Sequence, residues 1–267
     1  MSGTFRQSTF SLWTRYIRIQ ALAQLQYRGW ILGALPNLVF VITDPLDALL
    51  MFDRFGALGE WTASRIVLVY GLALLSFGLA ELFARGIDLF PSLVRGGEFD
   101  RLLLRPRPLL FQSAAMRFHL NRLNRVAAGL LLALVCLRAE GAAPTAANIV
   151  MLILAVTGGA LAYAGVMLIA AAVSFFTIGQ SELINLFTNG SYQVAKAPPQ
   201  MLPAWLRRAF TFLMPMFLFT HYPAAAVCGW GGGRLMGWLA LPVCALFFGA
   251  AVVFWRFGVR HYKSTGS

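Results

Sequence analysis

The chain alternates long apolar runs with short breaks rich in arginine or proline, and the runs are about twenty residues long, the length of helix that crosses a bilayer core. Window hydropathy places spans at Trp30–Met51, Ser64–Ala84, Phe118–Leu137, Asn148–Val173 and Met236–Gly258. Two further stretches carry conflicting signals. "SFFTIGQSELINLFTNGSYQVA" is long enough to span but holds Gln180, Glu182, Asn185 and Asn189, whereas "WLRRAFTFLMPMFLFTHYPAAAVCG" is apolar but broken by Pro215 and Pro223. A transmembrane barrel would show alternating segments of about ten residues, which these unbroken runs do not resemble. The pattern therefore predicts an all-α polytopic membrane protein. The N-terminal "MSGTFRQSTFSLWTRYIRIQ" is interrupted by Arg6, Arg15 and Arg18. It lacks the apolar core and small-residue cleavage site of a signal peptide, so its removal is not expected.

Charge orients the spans. Arg85, Arg95, Arg101, Arg105, Arg107, Arg117, Arg122 and Arg125 fall between the second and third spans or at the mouth of the third, and basic residues concentrate on the cytoplasmic side. Arg15, Arg18 and Arg28 then place the N-terminus inside, and Arg256, Arg260 and Lys263 place the C-terminus there too. An even number of spans is required, and six satisfy it. The "SFFTIGQSELINLF" segment becomes the fifth span, and Trp205–Gly229 enters and leaves the membrane from outside, a broken path that its prolines permit where protein shields the backbone. Lys196, Arg207 and Arg208 violate the charge rule. With 59% hydrophobic and 12% charged residues, the net charge of +12 flanks spans and forms no soluble basic domain. That excludes nucleic acid as a partner and suits anionic lipid. No internal repeat is visible, which disfavours carriers built from paired halves. Six spans thus imply a second copy or a related six-span subunit to complete a path.

Between the second and third spans lies "GGEFDRLLLRPRPLLFQ", with three arginines, two acids and two prolines. Glu98 and Asp100 suit the positive end of a short helix, and Phe99, Leu102 and Leu103 share one face at three-to-four spacing. Arg105, Pro106, Arg107 and Pro108 stop it. A short helix with an apolar face, a charged rim and a rigid end has the makeup of a docking surface for a soluble protein.

The order of an amphipathic N-terminal segment, two spans, "FDRLLLRPRPLLFQ", further spans, "PPQMLPAWLRRAFTFLMPMFLFTHYPA" and a final span resembles the permease subunit of a bacterial ATP-binding-cassette exporter of the second type. The resemblance covers nearly the whole chain. It implies one permease domain over 1–267: an interfacial helix within 1–28 around Tyr16, a cytoplasmic coupling loop at 85–117, and an outer reentrant region at 196–230. It also implies a dimer in the bacterial inner membrane, with a short cytoplasmic helix of each subunit seated in a separate ATPase. Glu98, Phe99, Asp100, Arg101, Leu103, Arg105 and Pro106 would belong to that coupling element. The chain has no G-x-x-x-x-G-K-[ST], and Lys196 and Lys263 follow no glycine-rich turn, so ATP and magnesium would be bound by the partner and no cofactor by this chain.

Within the membrane, Glu182, Asn185 and Asn189 recur at i, i+3 and i+7 beside Gln180, giving a polar stripe that either lines the substrate path or joins helices by hydrogen bonds. Two rival functions have weaker support. Asp44 and Asp47 in "TDPLDALL" are spaced to hold magnesium on a diphosphate, as in a prenyl- or lipid-transferring membrane enzyme, but no second acidic cluster accompanies them. A channel or structural subunit would need no docking helix. Cys136, Cys228 and Cys244 read as small buried hydrophobes, and His119, His221 and His261 have no ligand or catalytic spacing.

Overall fold

The computed structural model describes residues 9–26, scattered positions between 35 and 54, and residues 60–105, 108–176, 181–231 and 233–262. Among these residues the regular structure is helical and no β-strand occurs. The helices are α1 (Thr9–Gln26), α2 (Ala63–Asp88), α3 (Phe90–Arg95), α4 (Glu98–Leu103), α5 (Leu109–Ala115), α6 (Leu123–Ala139), α7 (Ala146–Val173) and α8 (Ser181–Lys196). They continue with α9 (Ala204–Arg208), α10 (Met216–Phe219), α11 (His221–Cys228), α12 (Arg234–Trp238) and α13 (Ala240–His261). Among the described residues four helical stretches, built on α2, α6, α7 and α13, are long and apolar enough to cross a membrane.

α2 is the central element. It starts at a Thr62 cap whose hydroxyl accepts from the Arg65 amide, and it is buried over most of its length. It packs on α6 along one side and on α7 along another, and α13 packs on α7. Small residues let these backbones approach: a Cβ on Gly129 would come within 2.5 Å of the Leu75 amide nitrogen. Helix association in lipid depends on such close packing because lipid tails are as apolar as leucine side chains. Outward faces remain apolar, with Leu131, Ile153, Leu246 and Val253 all more than half exposed, as a lipid-facing surface requires.

Several expected boundaries move. α2 runs four residues past Ala84 because Glu81, Arg85 and Asp88 pair within its last turns. The third span starts as a 3-10 turn at Leu120–Arg122 and not at Phe118. The last one breaks at Leu239, so α12 and α13 replace a single helix from Met236. Among the described residues α8 runs from Ser181, is shorter than a span at 16 residues, and has polar side chains at half of its positions. The expected first span, Trp30–Met51, lies largely outside the described residues. Of the six expected spans, four thus have a helix of spanning length here.

The proline-broken stretch forms two arms, Ala204–Leu213 and Met216–Cys228, bent by 70°. The first arm ends in a π-helical turn at Ala209–Leu213, and Pro215, buried at the bend, has no amide proton to continue the ladder. Phe219, at the start of the returning arm, reaches into the core beside Tyr163 of α7 at 5.3 Å. Arg207 on one arm and Tyr222 on the other line a common pocket with Trp230, just beyond the second arm.

Candidate functional site

α4 is attached through Gly97, whose φ of 70° is left-handed and strained for any side chain. Phe99 is fully buried. Its ring lies 5.0 Å from Phe90, 5.4 Å from Phe175 and 4.8 Å from Tyr262. Phe175 follows the end of α7 and Tyr262 the end of α13, so one side chain ties α4 to two spanning-length helices. Leu102 is also buried, whereas Leu103 is 44% and Leu104 85% exposed, with Arg101 and Arg105 beside them. This corrects the expected face: Phe99 and Leu102 turn into the chain's own core because the α7 and α13 ends supply an aromatic cage. The outward edge is made instead by Arg101, Leu103, Leu104 and Arg105. Asp100 is half-buried; the Glu98 side chain and Pro106 lie outside the described residues.

Next to α4, the end of α2 holds an acid that the sequence reading passed over. Glu81 is 2% exposed, after a long uncharged stretch of α2 from Ile66 to Ala80. Its carboxylate meets Arg85 at 3.0 Å, Arg125 at 2.6 Å and Arg122 at 3.3 Å, and Arg85 also pairs with Asp88. Arg125 additionally sits over the Phe77 ring at 5.3 Å. A buried carboxylate is tolerable only when paired and hydrogen-bonded, and three guanidinium groups satisfy that condition. The sequence carries its signal as an acid and an arginine four apart in α2 and two arginines three apart where the 3-10 turn enters α6, a pattern that also serves as a topology marker.

α1 grips the same end. The Gln20 side chain donates to the Ala115 carbonyl at 2.9 Å and accepts from the Phe118 amide; Gln24 donates to the Phe118 carbonyl and accepts from the Leu120 amide at 3.0 Å. Two glutamines thus satisfy the backbone of an irregular segment that has no helical ladder of its own. The opposite face of α1 exposes Ile19, Leu22 and Leu25. His119 lies within this elbow, where burial, and then the positive charges of Arg85, Arg122 and Arg117, pull its pKa below the ordinary value, leaving the ring neutral at pH 7.

Of the expected path residues, Gln180 and the side chains of Glu182 and Asn185 lie outside the described residues. Asn189 is exposed and lines a cavity of about 200 Å³ with Tyr70, Phe77, Arg125 and Tyr192. Lys196, at the end of α8, stands 4.5 Å from the Tyr192 ring centre and 5.2 Å from that of Tyr70. Asp44 is outside the described residues and Asp47 is exposed. Among the described residues no group of three or more His, Cys, Asp or Glu is placed to hold a metal ion.

The far end of α2 carries a second charged cluster. Glu140, just past α6, accepts hydrogen bonds from Ser64 and, at 2.9 Å, from the Trp230 indole, and its carboxylate lies 3.5 Å from Arg65. Burial pushes the Glu140 carboxyl up, but the Ser64 and Trp230 hydrogen bonds and Arg65 together outweigh it and hold the group below its ordinary value. Beside it opens a pocket of about 410 Å³ lined by Glu60, Trp61, Arg65, Gln200, Arg207 and the aromatic groups of the bent segment.

Comparison with known proteins gives one family. The model of the family described as ABC-2 family transporter protein matches residues 38–266. No curated protein matches the chain, and no solved structure does.

Proposed function

The chain belongs to the ABC-2 transporter family, and from that membership we propose that it is the membrane-spanning subunit of an ATP-driven exporter, working with a separate ATPase that binds ATP and magnesium. Two permease subunits, identical or related, form the path in a bacterial inner membrane. Each has six spans: the stretch near Trp30–Met51, α2, α6, α7, α8 and α13, with both termini and α4 cytoplasmic. The bent segment 204–228 is then reentrant from outside, a reading supported by the pocket that its two arms share. Gln180, Glu182, Asn185 and Asn189 are the candidate path residues of this reading.

The observation that carries this reading is the division of α4. Phe99 and Leu102 fasten it to the protein, while Arg101, Leu103, Leu104 and Arg105 leave a charged and apolar edge uncovered. A large exposed leucine flanked by cations, on a helix held rigid from behind, suits insertion into a partner's cleft. Closure of the ATPase subunits would displace α4, and Phe99 would carry that displacement to the ends of α7 and α13. The coupling is mechanical, through packed rings, and requires no chemistry in this chain.

The paired substitution Leu103→Asp and Leu104→Asp tests it. Both side chains are exposed, so insertion and folding should persist while the ATPase no longer co-purifies and ATP turnover of the complex falls by tenfold or more, as expected for loss of about 2 kcal/mol of anchor energy. Undiminished co-purification would remove α4 as the docking element.

A further inference from the structure

The pocket at the far end of α2 has a chemistry that the exporter reading does not use. Its cation Arg65 is already engaged: it donates to the Glu60 carbonyl at 2.6 Å, lies 3.5 Å from Glu140 and covers the Trp230 ring at 5.1 Å. Among the described residues Arg207 has no acid within ion-pair distance and the Glu60 carboxylate has no basic group there, although both line the same cavity. One uncommitted cation and one uncommitted anion therefore face a single space. Trp61, Tyr222 and Trp230 line it as well. His221 lines this space too; it is 8% exposed, its ring is 5.4 Å from Trp61 and 5.3 Å from Tyr222, and its Nδ1 finds no hydrogen-bond partner among the described residues. A buried ring nitrogen without a partner is costly unless a ligand or water meets it.

We propose that this pocket binds a zwitterionic phospho-amine head group. Arg207 pairs with the phosphate, since guanidinium and phosphate match in geometry and charge. The Glu60 carboxylate and the faces of Trp61 and Tyr222 take the ammonium, which aromatic faces attract. Gln200 and His221 meet the remaining ester or hydroxyl oxygens. A volume of about 410 Å³ is large enough for such a head and too small for a whole lipid. Arg207 shares its segment with Trp205, Phe212 and Leu213, which are 70%, 55% and 73% exposed. An apolar collar of this kind belongs at a lipid interface, so a lipid is the favoured source of the head and a soluble phospho-amine the other.

The test uses the isolated full-length protein in a neutral detergent without any ATPase, so its outcome is separate from that of the exporter reading. Dihexanoyl phosphatidylethanolamine, dihexanoyl phosphatidylglycerol and free phosphoethanolamine are titrated, and binding is counted by native mass spectrometry. Wild type should prefer the ethanolamine lipid over the glycerol lipid by about tenfold, R207Q should weaken both by about tenfold, and R207K should recover part of the loss. E60Q should erase the preference without abolishing binding, and R208Q, one position along and outside the pocket, should bind as wild type. Free phosphoethanolamine as strong as the lipid would assign a soluble source; a much weaker effect would assign the lipid. Equal binding of the two lipids by wild type, or unchanged binding by R207Q, would overturn the proposal.

Discussion

α2 and α6 run side by side in opposite directions and are fastened at both ends by ion pairs of reversed polarity. At the α4 end the acid belongs to α2 and the arginines to α6: Glu81 with Arg122 and Arg125, reinforced by Arg85. At the far end the arginine belongs to α2 and the acid follows α6: Arg65 with Glu140. The first acid is 2% exposed and held by three guanidinium groups, whereas the second has one, at 3.5 Å, and a side chain 12% exposed. A buried, multiply held carboxylate is the firmer of the two ties between the helices. The wetter pair at the far end, relying on Ser64 and Trp230, is the weaker tie. Force applied at α4 should therefore move α2 and α6 as one body there and separate elements at the far end.

The largest effect expected from breaking this contrast is at Glu81. Replacing it with Ala leaves three half-buried arginines around an empty centre, with Arg85 keeping an acid in Asp88, and should cost about 3 kcal/mol, seen as a large loss of thermal stability in detergent. Phe99→Ala follows, at about 3 kcal/mol, because it empties an aromatic cage that joins α4, α7 and α13. It should uncouple ATP turnover from transport as well as lower stability, whereas the changes at Leu103 and Leu104 should leave stability alone. Glu140→Gln should cost only about 1 kcal/mol.

Glu140 also sets a pH dependence. Its folded pKa is depressed, so its stabilising contribution is complete above the ordinary carboxylate value of 4.5 and is lost as pH falls through the lowered value. Wild type should lose stability in that acid range, and Glu140→Gln should lack this component when melting is followed between neutral pH and about pH 3.

How far the sequence could be read differs between the two ends for physical reasons. α7 was legible almost to the residue because a long apolar run between Thr145 and Ser174 has one solution in a membrane. α4 was legible as an element, since acids precede it and prolines follow it. Its buried face was not, because Phe99 and Leu103 are equally placed by helical spacing and only the cage at the ends of α7 and α13 decides between them. The burial of Glu81 is not legible for a related reason: Arg85 is a local partner, but Arg122 and Arg125 lie more than forty positions away, and pairing at that distance leaves no local periodicity. The far-end pocket gathers residues from 60 to 231, so none of its neighbours in sequence announced it.

The claim that most of this depends on is that α4 presents its outer edge to a separate ATPase. A photo-crosslinking amino acid placed at Leu104, which is 85% exposed, tests it in native membranes, with the same probe at Leu246, 74% exposed on α13, as the control. The account predicts an adduct at position 104 with a chain carrying the G-x-x-x-x-G-K-[ST] phosphate loop, and no such adduct at position 246. A phosphate-loop chain captured at neither position or at both, while the complex hydrolyses ATP normally, would contradict it.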